Sequence, residues 1–418
     1  MRIWSWREVD RKERNGVTRS RTKAVPAMIA TVYPYLPPET LDYIVDFLHD
    51  KRETLEQCCL VSKSWVPRTR KHLFADIRFY CAADLESWKK AFPDHSSSPA
   101  YHTRALLVGC PEVVTNADAG GGGWVRTFSR VIRLGVHGNP ATVSGREVSL
   151  TPFHRFSLSL KDLHIVSKTL PDSQIFDLIS TLPLLEDLTL GINGVDVDGL
   201  NSDAPLITVQ PSTSPAFTGT LDLALFKGMG PTTRWLLSSP NNLHFRKLML
   251  SWAHEQDHQW INALVVGCSD TLENLTITSY LRRDPNPASI NLSEATKLER
   301  AVFRPTSLRV KWITLALQTI TPKHRDLRHI LIYSPHDLAQ VRVSANVRQT
   351  VGEFFCGQWS ELDHVLVQFW ESHSVRPMIS YYIPLEGEKK ETSECLECLL
   401  PKITKRGVVD LVQWHGHQ

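Results

Sequence analysis

Apolar residues recur along this chain in two rhythms, and the first is helical. Leu41, Ile44, Val45 and Leu48 stand at i, i+3, i+4 and i+7, which gathers them into one stripe of a helix that must be buried against something. Pro37 and Pro38 suit its first turn, where the missing N–H groups would have no partners anyway. Thr54 with Gln57 three positions later is a capping-box pattern and predicts a second short helix carrying Leu55, Cys58, Cys59 and Leu60. Ser62 can cap a third, which holds Trp65 and runs through Pro67 to Leu73 and Phe74. Three helices in about 40 residues bury too little apolar surface to be comfortably stable alone, so a partner or a neighbouring domain is implied.

The second rhythm begins near residue 103. A pattern L-x-x-L-x-L, with aliphatic substitutions, returns as Leu160/Leu163/Ile165, Leu185/Leu188/Leu190, Phe245/Leu248/Leu250, Leu272/Leu275/Ile277, Leu298/Ala301/Phe303, Leu327/Ile330/Ile332 and Leu362/Val365/Val367. Weaker copies centre on Leu106, Leu134 and Leu223, and successive centres lie 25 to 35 residues apart. Between them come helically spaced segments such as Ile175, Leu178, Ile179, Leu182 and Trp260, Ile261, Leu264, Val265. Strand then helix at this period predicts irregular leucine-rich repeats. The expected fold is a curved α/β solenoid with parallel strands on its concave side and helices on its convex side. Only Asn193 occupies the place where such repeats usually carry the Asn that satisfies backbone groups in the turn. The segment from Leu399 to Leu411 reads as a final helix and an edge strand that cap the stack.

Residues 36–74, LPPETLDYIVDFLHDKRETLEQCCLVSKSWVPRTRKHLF, resemble an F-box, the helical module that docks on a Skp adaptor and so joins a cullin-based ubiquitin ligase. The resemblance implies adaptor contacts through Leu36, Pro37, Glu39, Leu41, Ile44 and Leu48, matching the family's LPxE opening and following leucines. It implies further contacts through Leu60, Val61, Ser62 and Trp65, matching its V-S/C-x-x-W sequence. Thr40 and Cys58 depart from the usual apolar choices. The chain as a whole is similar to the F-box proteins abundant in mushroom-forming fungi. The implied organisation is a basic leader at 1–30, an F-box at 31–78, a linker or first helix at 79–101 and the repeats with their cap at 102–418. The implied function is that of a non-catalytic substrate receptor, whose repeats hold an unknown target protein. The alternative is a non-degradative scaffold or interaction module.

With 42% hydrophobic and 22% charged residues, the composition is that of an ordinary soluble protein. No window suits a membrane span, no secretory signal is visible, and eight scattered cysteines suggest thiols in the cytoplasm or nucleus. Residues 1–30 carry eight Arg/Lys against three Asp/Glu, so within the total of +3 the remaining chain is near neutral and unsuited to nucleic acid. On the repeat strands, residues alternating with the leucines face the concave side. These are Asp162, His164, Asp187, Thr189, Lys247, Met249, Asn274, Thr276, Arg300, Arg304, His329, Tyr333, His364 and Gln368. Acids come first and bases later, which favours a partner carrying both signs. Catalytic signatures are absent. There is no G-x-S-x-G elbow or P-loop, and Gly120–Gly123 has no following Lys and Ser/Thr. Cys395-x-x-Cys398 and His415-x-His417 have the wrong histidine spacing for a zinc finger. No cofactor and no metal are expected.

Overall fold

In a computed structural model of the chain, residues 37–94, 98–109, 124–138, 149–167, 170–191, 217–223, 229–238, 243–252, 256–280, 290–333, 353–373, 376–382, 397–407 and 410–414 are described. They divide between two compact units, Met1–Leu160 and Lys161–Gln418. Leu36, Gly120–Gly123, Cys395, His415, His417 and the leader lie outside the described residues.

The first unit opens with α1 (Pro38–Phe47), α2 (Arg52–Val61) and α3 (Val66–Leu73). Pro37 caps α1, its carbonyl accepting the N–H groups of Thr40 and Leu41 at 2.9 and 3.2 Å. The capping expectations for the other two helices are corrected. α2 begins at Arg52, so Thr54 and Gln57 lie inside it, and an Arg52–Glu56 pair at 3.0 Å supports its first turn instead. Ser62 is extended and its hydroxyl accepts the Ser64 N–H at 3.3 Å. A short turn therefore intervenes, Trp65 becomes the N-cap of α3, and Pro67 falls in the first turn, where it costs no hydrogen bond. Val45, Leu55, Cys58, Cys59, Leu73 and Phe74 are buried.

A four-residue strand that the leucine pattern does not announce, β1 (Asp76–Phe79), comes next, followed by α4 (Ala82–Ala91), β2 (Ala105–Val108) and β3 (Arg133–Gly138). β1 pairs with β2 and β2 with β3, both parallel. Phe79 anchors their core, meeting Trp124, Trp88 and Phe128 nearly edge-on at centroid separations of 5.6, 6.0 and 6.2 Å, the arrangement that aromatic quadrupoles favour.

In the second unit β4 (Asp162–Ser167), α5 (Asp172–Ser180), β5 (Asp187–Gly191), β6 (Thr220–Leu223), α6 (Gly230–Ser238), β7 (Lys247–Trp252), α7 (Asp257–Gly267) and β8 (Asn274–Ser279) follow in order. Then come β9 (Arg300–Pro305), α8 (Lys311–Gln318), β10 (His329–Tyr333), α9 (Glu353–His373), β11 (Arg376–Tyr382), α10 (Pro401–Lys405) and β12 (Asp410–Trp414). Each strand pairs in parallel with the next one in the chain. Parallel neighbours need crossovers, and helices supply several of them. The architecture is α/β with parallel strands, and the in-order pairing of this unit is compatible with a solenoid. Leu163, Leu188, Leu221, Leu248, Leu275, Ala301 and Ile330 stand in one register across β4–β10 and are buried.

Two repeat positions are corrected. The fifth centre is Leu221 rather than Leu223, because Leu221 is the residue that pairs with Leu188. Leu362, Val365 and Val367 are not on a strand: they belong to α9, and the strand of that coil is β11. Leu362, Val365, Leu366 and Phe369 stand at i, i+3, i+4 and i+7 and are all buried with Trp359, so the segment packs one helical face.

Where Asn is missing from the turns, hydroxyls do its work. Thr103, Ser159, Thr271 and Thr306 donate to the carbonyls of Phe74, Val131, Phe245 and Ser279 at 2.9, 2.7, 3.2 and 2.6 Å. Each reaches back one coil to a backbone acceptor, and at Ser279 the Thr306 hydroxyl adds to the Thr306 N–H, which donates to the same carbonyl at 3.1 Å. α9 serves its neighbours similarly. The buried Gln358 amide oxygen accepts the Val310 and Lys311 N–H groups at the start of α8, and buried Asp363 accepts those of Lys402 and Ile403 at the start of α10.

Candidate functional site

Two surfaces stand out, one in each unit. On the helical module α1 packs only Val45 fully inside; Leu41 and Leu48 are half-buried and Ile44 is 39% exposed. Tyr43 and Phe47 are 75% and 77% exposed, and at the end of α2 Leu60 and Val61 are 68% and 69% exposed. This is a large share of apolar side chain to leave in water, each worth roughly 1.5–3 kcal/mol on full burial, and such patches mark interaction sites. Exposed Glu39, Asp42, Asp50 and Glu53 rim the two helices with negative charge.

Of the residues predicted for adaptor contact, Pro37, Glu39, Leu60 and Val61 are exposed, while Ser62 and Trp65 are half-buried. Tyr43 and Phe47 were missed because they lie off the apolar stripe of α1. Their signal was present: two large apolar residues four apart on the face an amphipathic helix gives to water.

α1 is fixed to α3 by charge. Arg68 donates to both carboxylate oxygens of Asp46, its Nε at 2.6 Å, and His72 Nε2 donates to Asp46 Oδ1 at 2.7 Å. The hydrogen bonds from Arg68 outweigh the opposing effect of burial and, with those from His72, hold the Asp46 carboxyl well below its ordinary value of 3.8. A depressed carboxyl stabilises the fold at pH values above its unfolded value, and the contribution is lost as pH falls from there toward the folded value. Asp46→Asn is therefore expected to lower stability by about 1 kcal/mol at pH 7, a figure discounted for partial exposure. The difference from the parent should shrink on acidification below pH 3.8, and urea titrations at several pH values would show a constant difference if the network were idle.

In the second unit the polar face of the strands was the other expectation. Lys247, Arg300 and His329 are exposed, and Asp162, His164, Thr189, Met249, Asn274, Arg304 and Tyr333 are half-buried. Register brings Lys247, Asn274, Arg300 and His329 into one row across β7–β10. Arg304 lies over the Tyr333 ring at 4.6 Å.

Four candidates are corrected. Asp187 accepts the Thr220 N–H at 2.6 Å, close against Gly219, where a Cβ would fall 2.4 Å from its Oδ1; its carboxylate is spent on the start of β6. Thr276 is 8% exposed, in the middle row where neighbours close over it. His364 and Gln368 sit on α9, one turn apart and 3.1 Å from each other, and do not belong to the strand face. Asp222, which the misplaced register of β6 hid, does belong there: it pairs across to Thr189 and Met249. Burial pushes its carboxyl above the ordinary value, against the pull of Lys247 and Arg304.

Among the described residues no group of three or more His, Cys, Asp or Glu could hold a metal ion, and no helix is long and apolar enough to cross a membrane. Comparison with protein-family models finds no match for the chain, and comparison with curated proteins finds none either.

Proposed function

We propose that this chain is the substrate-receptor subunit of a Skp/cullin/F-box ubiquitin ligase, working in the cytoplasm or nucleus. The helical module binds the Skp adaptor and through it a cullin, and the leucine-rich-repeat strands bind a target protein. The observation that supports this reading is the exposed set Tyr43, Ile44, Phe47, Leu60 and Val61, on helices whose sequence carries the Leu36-Pro37-x-Glu39 and Val61-Ser62-x-x-Trp65 patterns. A face of that chemistry needs a largely apolar partner. The chain itself performs no bond chemistry. Tethering raises the effective concentration of a target lysine near a ubiquitin-loaded enzyme.

The test is co-purification with the cognate Skp adaptor, comparing the intact chain with one lacking residues 34–75. The expected result is adaptor with the intact form only. Retention by neither form would overturn the reading and leave the repeats as a free-standing interaction module.

A further inference from the structure

The polar face of β6–β10 does not carry both signs equally, as the order of acids and bases along the sequence suggests. Asp187 is occupied by backbone, and among the described residues of β6–β10 Asp222 is the single acid on that face. Against it stand Lys247, Arg300 and Arg304, with His329 at the end of the same row as Lys247 and Arg300. No side-chain hydrogen bond or ion pair joins Lys247, Arg300 or His329 to another described residue, and the charge of Lys247 acts on Asp222 only at longer range. The Arg304 Nε is shut off from solvent and has no hydrogen-bond partner among the described residues, though its guanidinium is held in place over Tyr333. A buried donor without an acceptor is costly, and its cost is relieved when a ligand brings the acceptor. Between the row of Lys247 and Arg300 and the position of Arg304, the floor on β9 and β10 is closed and apolar, with Val302 5% and Leu331 7% exposed, while Asp222 and Thr276 lie further along the same row on β6 and β8.

We propose that this face takes an acidic peptide segment, whose carboxylates pair with Lys247, Arg300 and Arg304. Adjacent strands lie about 4.8 Å apart, and alternate side chains of an extended segment repeat about every 7 Å, so successive carboxylates crossing the strands come within reach of the long basic side chains. Arg304 can offer a carboxylate two parallel N–H groups. The inference rests on the reading of this face as the one that holds the target, and it narrows the target's chemistry from mixed charge to acidic.

The experiment is fluorescence anisotropy of a labelled oligoglutamate peptide with the full chain. The parent is compared with Arg304→Gln, with the double variant Lys247→Gln/Arg300→Gln, and with a control, Lys323→Gln/Arg325→Gln, which removes two exposed bases elsewhere in the unit. Both face variants are expected to weaken binding about tenfold, with the control close to the parent and all forms weakened by salt. Absence of binding to the parent, or an equal loss in the control, overturns the proposal, as does tighter binding of a DNA oligonucleotide of the same charge. Adaptor co-purification reports separately on the receptor reading: oligoglutamate binding that survives removal of residues 34–75 in a chain that takes no adaptor leaves the acidic-peptide face standing while the ligase assignment falls.

Discussion

Phe47→Ala combined with Leu60→Ala is expected to remove adaptor binding while leaving the chain folded. The two side chains are 77% and 68% exposed, so truncation takes away little that the isolated protein has buried and opens no cavity. In a complex they would become central apolar anchors, the class of residue whose loss costs about 1–3 kcal/mol each. Together that is a fall in affinity of at least about thirtyfold. Calorimetric titration of the adaptor into parent and variant measures it, with the melting temperature recorded alongside. Undiminished affinity at an unchanged melting temperature would remove these residues from the interface. Val45→Ala makes the opposite case. Its side chain is 1% exposed, so it should act by loosening the module, with adaptor binding and melting temperature falling together.

The second large effect is expected at Asp363. This carboxylate is 1% exposed and receives two backbone N–H groups, from Lys402 and Ile403, each at 2.9 Å. It therefore does for α10 what an N-cap side chain does within a helix, from another element. Asp363→Ala leaves the buried Ile403 N–H without a partner and the partly buried Lys402 N–H without its acceptor, and a cost of about 2 kcal/mol follows. Asp363→Asn keeps one acceptor oxygen and should cost about half as much. Hydrogen exchange at the Lys402 and Ile403 amides is the direct readout. Protection equal to the parent in the alanine variant would mean that packing of Ile403, not the cap, holds α10.

The leucine rhythm made most of the second unit legible, because parallel strands covered by helices need apolar residues at the same place in every coil. It failed at Leu362, Val365 and Val367, where three apolar positions satisfy a strand template and a helix template at once. Only the longer run from Trp359 to Phe369 separates the two. β1 escaped because four residues, Asp76–Phe79, are too few to show a period. On the helical module the stripe Leu41, Ile44, Val45 and Leu48 shows in sequence only that it needs cover, and within the chain packing covers Val45 alone completely. A single-sequence pattern reports which side chains avoid water, not whether their cover is intramolecular. The same limit applies to the charges: Asp187 and Arg304 are both plain charged strand residues in the sequence, and register, together with a neighbouring N–H or ring, gives them different employment.

The hydroxyl bonds from Thr271 to Phe245 and from Thr306 to Ser279 span a single coil, and so does each strand pairing of the second unit. Mechanical load applied along such a chain has few routes around a coil, since each strand is fastened only to the one before and the one after, and only ring contacts such as Phe176–Trp235 and Trp252–Trp312 reach past a neighbouring strand. Pulled from its C-terminal end, this unit should therefore peel, β12 first and then β11. Within its length, the resistance to force at each step is set by that coil's own strand pairing, with extra hold where Phe176–Trp235 and Trp252–Trp312 tie elements two strands apart.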